Sequence, residues 1–294
     1  MWHPCHIHFA ERHQNPQLKI LSSIVNKFTG IIPPMENSDS LNQQRRFGGI
    51  SRLYGDSAMN RYADSHICII GVGGVGSWAV EALARSAIGQ LTLIDMDHIA
   101  ESNINRQLPA LSSTVGKNKI AVMEERIREI NPACRVNLVD DFLSQENIDQ
   151  YILTNMDFVI DCIDDFRLKA ALIAYCKNRK IRLVTTGGAG GKTDPSRIRQ
   201  TDLARSEQDP LLAKTRSLLR QRYDFPRNVK RKFGIASVWS DEQQIFQWDD
   251  GSLRHQRPQS CSNQSLNCGG LGSSMPVTAT FGNIAAAYVL GKLT

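Results

Sequence analysis

Apolar residues fall into short unbroken runs separated by stretches of helical period, and that alternation sets the expected fold class. Residues 67–70 form an apolar run that leads into Gly71-Val72-Gly73-Gly74-Val75-Gly76, then a helical pattern, then a second apolar run ending at Asp95. Residues 117–130 place Ile120, Val122, Met123, Ile127 and Ile130 at helical spacing, closed by Asn131-Pro132. A strand is expected at 136–139, a short helix at 147–153, an apolar strand at 158–163, a helix at 168–177 and a buried strand at 181–186, followed by "GGAGGKTDP". Strands alternating with helices imply parallel pairing and right-handed crossovers. The expected fold is therefore α/β, a doubly wound, Rossmann-like and mostly parallel sheet, with functional side chains at the carboxyl ends of its strands. From about residue 197 the pattern changes. "RIRQTDLA" suggests a strand, 210–222 a basic helix, and 233–246 two further strands forming an antiparallel C-terminal extension.

Composition narrows the class without naming a chemistry. Hydrophobic content of 41% and charged content of 22% in 294 residues are those of a soluble globular chain with a sizeable core. The formal charge of +6 permits an anionic partner without requiring one. Seven cysteines (5, 68, 134, 162, 176, 261 and 268) include no CxxC pair. The odd count points to reduced thiols in a cytoplasmic protein, with no structural zinc. Residues 1–34 hold four of the seven histidines and lack the order of a signal peptide. They are expected to be a disordered extension, or upstream sequence ahead of a start at Met35. Residues 258–291 carry no charge, but only 277–290 is solidly apolar. That is short of the roughly 18–20 residues a membrane span needs. No transmembrane segment is expected, and 277–290 reads as a buried or dimer-facing helix.

The glycine turn raises the question of which nucleotide it holds. Gly71 suits the tight turn, Gly73 lets backbone approach a phosphate, and Gly76 lets helix and strand pack closely. The helix that follows directs unpaired N–H groups at an anion, and Asp95 is placed to accept from a ribose. The next motifs separate the candidates. Asp95-Met-Asp97 is followed by Ser102-Asn103-Ile-Asn-Arg106-Gln107, then Gly116-Lys-Asn-Lys119, then "VIDCIDD" at 159–165 with Asp161 and Asp164. A dehydrogenase has no use for an arginine and a lysine so placed. An enzyme that moves an adenylyl or phosphoryl group does, because negative charge builds on the triphosphate in the transition state.

In that order, GxGGxG, DxD, SNxxRQ, GxxK and DxxD resemble the ubiquitin-activating-enzyme-like superfamily of ATP-dependent adenylating proteins. The resemblance implies that Gly71, Gly73, Gly74 and Gly76 line the nucleotide and that Asp95 holds the ribose, with Ser102 and Asn103 beside the nucleotide, while Asp97 reads as either a nucleotide contact or a cap of the following turn. It further implies that Arg106 and Lys119 clamp phosphates and that Asp164 holds Mg²⁺, a metal that prefers hard oxygen ligands. Arg106, Lys119 and Asp164 are thus the expected catalytic set. Two departures from the sulfur-carrier branch stand out. The zinc-binding CxxC pairs are missing, and in "RRFGGISRLYG" Gly49 stands where an arginine reaching the partner subunit's ATP would fall, with Arg52 one turn later as its candidate substitute. Within the superfamily the chain resembles the tRNA threonylcarbamoyladenosine dehydratases, through "IGVGGVGSWAVEALARS", "TLIDMD", "NRQ", "ERIREINP", "LIAYC" and "LVTTGGAGG".

That likeness implies ATP-dependent cyclisation of N6-threonylcarbamoyladenosine next to the anticodon of tRNA, by a homodimer. A ligase-like activation of the threonine carboxylate, by adenylation or another phosphorylation, supplies a leaving group. The neighbouring carbamoyl group then closes a five-membered ring. The competing readings are an adenylyltransferase for a ubiquitin-like sulfur carrier, an adaptor docking a cysteine-desulfurase/sulfur-acceptor system, and a Rossmann oxidoreductase. The expected organisation is one domain at 35–294, with a nucleotide-binding core at about 60–190 and a substrate and dimer portion at about 191–294. Asp161 reads as a structural hydrogen-bonding group, and Cys268 in "NCGGLGSSMP" as either a site residue or a small buried one. Between 214 and 232 eight Lys or Arg stand against one Asp. They form either a solvated face or a tRNA phosphate contact, with Tyr223, Phe225 and Phe233 either stacking on bases or anchoring the segment.

Overall fold

Two helices that periodicity does not reveal open the described part of the chain, α1 (Gln43–Tyr54) and α2 (Asp56–Asp64). Only Phe47, Ala58 and Tyr62 on them are buried, too few positions to make a helical stripe. The structure is a computed structural model and describes residues 43–258 and 271–294. The readings of 1–34 and of Cys268 lie outside those residues.

The alternating pattern then unfolds as read. It gives β1 (His66–Ile70), α3 (Gly76–Ala84), β2 (Gln90–Ile94), α4 (Lys119–Ile130), β3 (Arg135–Val139) and the single turn α5 (Ile148–Tyr151). Next come β4 (Phe158–Asp161), α6 (Phe166–Asn178), β5 (Leu183–Thr186), β6 (Ile198–Asp202), α7 (Pro210–Arg222) and β7 (Ala236–Ser240). A small hairpin, β8 (Phe246–Gln247) with β9 (Leu253–Arg254), precedes the last helix, α8 (Met275–Leu293). Side-chain caps fix several starts. Asn118 accepts from Ile120 N at 3.0 Å, Asp165 from Arg167 N at 2.7 Å, and Asp209 from Leu212 N at 2.9 Å.

The seven-stranded sheet runs β3-β2-β1-β4-β5-β7-β6, parallel except for β6 against β7. The order reverses between β1 and β4, and such a switch point is where doubly wound sheets bind ligands. Alternate residues of β1 serve opposite faces. Ile67 and Ile69 pack with Val80, Leu83, Phe281 and Val289, whereas Cys68 and Ile70 pack with Val159, Leu172 and Leu212.

Two expectations for the C-terminal part become definite. The strands foreseen in 233–246 do not pair with each other, because β7 inserts between β5 and β6 while β8 turns onto β9. Of the two readings of the apolar helix at 277–290, buried or dimer-facing, the structure bears out burial of its apolar side. Val277, Phe281, Ala285, Ala286, Val289 and Leu290 are all buried inside their own protomer. The contact is close because Gly282 has no side chain, and a Cβ there would lie 2.4 Å from Val75 O and 2.9 Å from Ala79 N on α3. Among the described residues no helix is long and apolar enough to cross a membrane.

One buried ion pair joins three elements. Lys169 on α6 and Asp161 at the end of β4 are both fully buried, with Nζ 2.8 Å from Oδ2. Nζ also donates to Thr185 Oγ1 on β5 at 3.0 Å, and that hydroxyl donates to Asp161 Oδ2 at 2.7 Å. Asp161 is thus a structural group, as read from the sequence. Lys169→Ala leaves its carboxylate unpaired and is expected to cost about 3–5 kcal/mol of unfolding free energy, while adding Asp161→Asn should recover part of that loss. Chemical denaturation of the two single variants and the double variant tests this, and simply additive losses would refute the coupling. Gly282→Ala should cost about 1–3 kcal/mol through overpacking, and an unchanged melting temperature would contradict the described contact.

Candidate functional site

At the switch point a cavity of about 830 Å³ opens over the carboxyl ends of β2, β1, β4 and β5. Its size falls in the range of pre-formed ligand sites, roughly 300–1,000 Å³. The glycine turn supplies its floor. Gly71 has φ of +83°, and a Cβ there would meet Cys162 O at 3.0 Å. At Gly76 a Cβ would lie only 1.9 Å from Gly71 O, so no other residue allows α3 to start there. Val75 precedes α3 without a side-chain cap, and the amides of Gly73, Gly74, Val75 and Gly76 donate to no other group among the described residues. Such a row of unclaimed N–H groups at a helix N-terminus is an anion cradle.

Asp95 stands beside this turn at the end of β2. Its Oδ2 accepts from Val72 N at 2.6 Å and its Oδ1 from Asp97 N at 2.9 Å, which fixes the carboxylate while leaving lone pairs toward the cavity. Burial pushes its carboxyl above the usual value, opposed by the Lys119 charge and those two amides. Lys119, the first residue of α4, is buried except toward the cavity wall, where its Nζ lies 2.7 Å from Oδ2 of the exposed Asp97. Asp97 therefore holds the ammonium in position rather than merely capping a turn.

Arg106 is placed by the loop between β2 and α4. A 3₁₀ turn at Glu101–Asn103 buries Asn103, whose Oδ1 accepts from Ala100 N at 3.1 Å. Arg106 Nη1 then donates to Ser102 O at 2.7 Å and to Asn105 Oδ1 at 3.0 Å, leaving other guanidinium donors for a ligand. Its own carbonyl accepts from Trp78 Nε1 at 3.0 Å, tying the loop to α3.

The structure brings together most of the expected set. Gly71, Gly73, Gly74, Gly76, Asp95, Asp97, Asn103, Arg106, Lys119 and Asp164 all line the one cavity. Ser102 does not, and its carbonyl serves to orient Arg106. Arg52 is exposed on α1 and is absent from the lining. Asp164 is exposed at the cavity and its carboxylate accepts no hydrogen bond from a described residue.

Several lining residues carried no assignment from sequence. Phe142, 60% exposed, and Met96 lie near Asp95 and offer an apolar surface of the kind a nucleobase takes. Gln107 is buried, and its Oε1 has no hydrogen-bond partner among the described residues. Gly187, Gly188 and Gly190 after β5 line the far end with Asp209, Pro210, Leu211 and Leu271. The run "GGAGG" and the Asp-Pro at 209–210 were the available signals, but only the tertiary fold puts them in one cavity.

The 214–232 segment resolves differently. Lys214, Arg222, Arg227, Lys230, Arg231 and Lys232 are exposed, and Arg216, Arg220 and Arg227 line a separate groove on α7. Phe225 and Phe233 are buried against each other, ring centroids 5.0 Å apart, so they anchor the segment and cannot stack on bases. The described cysteines, Cys68, Cys134, Cys162 and Cys176, are free thiols whose pKa values burial raises, Cys134 to about 11 and Cys162 and Cys176 to about 12, which leaves them poor nucleophiles.

Known proteins show the same architecture. The tRNA threonylcarbamoyladenosine dehydratase of Haemophilus influenzae is 53% identical over 254 residues, covering 86% of this chain and 94% of its own. The Escherichia coli tRNA threonylcarbamoyladenosine dehydratase is 49% identical over 251 residues, 85% of this chain and 94% of its own. The E. coli tRNA N6-threonylcarbamoyladenosine dehydratase solved in complex with ATP aligns with a TM-score of 0.75 at 48% identity, again over 85% and 94%. The model of the ThiF family matches residues 45–294, which contain the turn, both strand-end aspartates and the Arg106 loop. The chain belongs to the ThiF family.

Proposed function

We propose that this protein is an ATP-dependent tRNA-modifying enzyme that dehydrates N6-threonylcarbamoyladenosine to its cyclic form. The observation that carries the reading is the cavity itself. One wall is an unclaimed anion cradle flanked by Arg106 and Lys119, and the other end is a glycine-lined space large enough for a second substrate. The similarity to dehydratases over 94% of their length, rather than to part of a sulfur-carrier enzyme, favours that substrate.

The residues divide the work as follows. Asp95 accepts the ribose hydroxyls, and the amides of Gly73 to Gly76 with Arg106 and Lys119 draw charge from the phosphates as the threonine carboxylate attacks phosphorus. Among the described residues Asp164 is a single hard oxygen donor that accepts no hydrogen bond, and no group of three or more metal-binding side chains occurs. That suits Mg²⁺, which is typically bound by one or two carboxylates plus substrate phosphates and water. The metal would supply charge neutralisation on the triphosphate. After activation the carbamoyl group is already tethered beside the electrophile, so the enzyme need only orient it and exclude water.

Finer features follow the same reading. The protein acts as a cytoplasmic homodimer, Arg52 of each protomer reaching toward the nucleotide of its partner. The exposed cations of 214–232 take up tRNA phosphates, with the groove of Arg216, Arg220 and Arg227 the most enclosed of these contacts.

The first experiment incubates the protein with ATP, Mg²⁺ and tRNA bearing threonylcarbamoyladenosine and weighs the modified nucleoside. ATP-dependent loss of one water is the expected result, and an unchanged mass would refute the reading. Arg106→Ala should lower turnover on the order of 100-fold or more with a smaller effect on ATP binding, whereas Asp95→Ala should act chiefly on binding. Normal turnover of Arg106→Ala would remove it from the site. Reversing Arg231 and Lys232 to Glu should weaken tRNA binding and flatten its salt dependence by about 1–2 in log–log slope. Equal slopes for variant and parent would return the segment to a solvated face.

A further inference from the structure

The nucleotide motifs use only part of the cavity. Asp95, the glycine turn and Asp164 follow β2, β1 and β4, which are neighbours in the sheet. The next strand, β5, is followed by Gly187 and Gly188, about 14 Å from Asp95 at three strand spacings of ~4.8 Å. There the lining passes to Asp209, Pro210 and Leu211 at the start of α7.

Among the described residues Asp209 is the one carboxylate on this far wall, and it is 3% exposed. Both of its oxygens are held by backbone amides, Oδ2 by Gly188 N at 2.9 Å and Oδ1 by Leu212 N at 2.9 Å. A Cβ on Gly187 would fall 2.0 Å from Oδ2, so the glycine is what admits the carboxylate to the end of β5. Three cations face it, and each spends its hydrogen bonds elsewhere. Lys192, in the turn after β5, donates to Ser240 O at 3.0 Å and Glu242 O at 2.8 Å. Lys169 on α6 is committed to Asp161 and Thr185, and Arg216 on α7 donates to Ser206 Oγ. Two amide bonds leave lone pairs on both oxygens. Burial pushes the Asp209 carboxyl above its ordinary range, against the pull of Leu212 N, Lys192, Gly188 N and Lys169.

We propose that Asp209 is the proton acceptor of the ring-closing step. This rests on the dehydratase reading given above. Whichever carbamoyl atom attacks the activated threonine carbonyl, one carbamoyl N–H proton must be lost. The new ring bond forms at the carbonyl carbon, the bond from that carbon to the phosphoryl-linked oxygen breaks, and the phosphate-bearing fragment leaves with that electron pair. The N–H proton passes to an Asp209 carboxylate oxygen and from there to solvent. The reacting carbonyl and its carbamoyl group then lie between the anion cradle after β1 and Asp209 beside the end of β5.

The test is Asp209→Asn, which retains a cap residue at the start of α7. Hydroxylamine added during turnover traps any activated acyl group on the tRNA as a hydroxamate, separating activation from closure. The variant should still yield hydroxamate, while cyclic product falls by at least about 100-fold. The parent's kcat should decline on the acid side with an apparent pKa above the ordinary carboxylate value of about 4, and that limb should be absent from the variant's residual rate. Parallel loss of hydroxamate and product, or an unchanged rate and pH profile, would overturn the assignment. Should the variant fail to fold, the parent's own profile decides, and a kcat with no acid limb above that range overturns it. A parent enzyme that does not dehydrate the nucleoside sinks the underlying reading, whereas an active parent beside an equally active variant sinks this assignment alone.

Discussion

Everything at the site depends on how closely backbone meets backbone around α3. Gly76 starts that helix against the carbonyl of Gly71, and Gly282 brings α8 onto its other side, leaving room for no side chain at either point. The helix is therefore gripped between β1 and α8, and its first amides are aimed without any capping side chain in the way. An anion cradle of this kind is stiff because covalent geometry and van der Waals contact, rather than long flexible side chains, set its position. The polar residues that surround it add charge to a shape that is already fixed.

Buried charge does a second job, away from the glycine turn. Lys169 and Lys192 are both nearly inaccessible, and each pins the end of a strand that borders the cavity. Lys169 binds across β4 and β5 through Asp161 and Thr185, so the loop carrying Asp164 leaves the sheet at a set point. Lys192 is surrounded by carbonyls after β7, and burial lowers its pKa against the pull of Asp209 and Glu242. Such groups are expensive to bury. Here their return is a pair of strand ends that hold position relative to each other.

The sheet was legible because its strands are continuous apolar runs and its crossover helices are amphipathic. α7 starts and stops where Asp209-Pro210 and the basic last turn suggest. The half of the cavity around the glycine turn was equally legible, since the residues that line it sit within about one motif of each strand end. What could not be read were contacts made across the fold. α1 and α2 carry too few apolar positions to announce themselves, and β7 reaches its place only by passing between β5 and β6. The apolar helix at 277–290 was correctly placed as a helix, but local sequence cannot say whether its apolar faces meet a partner or the rest of its own chain. Asp209 had the same difficulty, because a capping aspartate and a cavity-lining carboxylate have one sequence signature.

The grip on α3 also constrains how the chain reaches its native state. Tyr62 bonds to Leu290 across 228 positions and the carbonyl of Arg106 meets Thr278 across 172, so the cover over the glycine turn arrives from far downstream. A ribosome emits α3, with Ala79, Val80, Leu83 and Ala84 on its apolar side, well before it emits α8. Until then those residues lie open to water or to other nascent chains. Contacts of such long sequence separation slow folding and prolong the exposure of apolar surface. The same geometry that makes the finished cradle rigid therefore makes the unfinished one a natural client for chaperones.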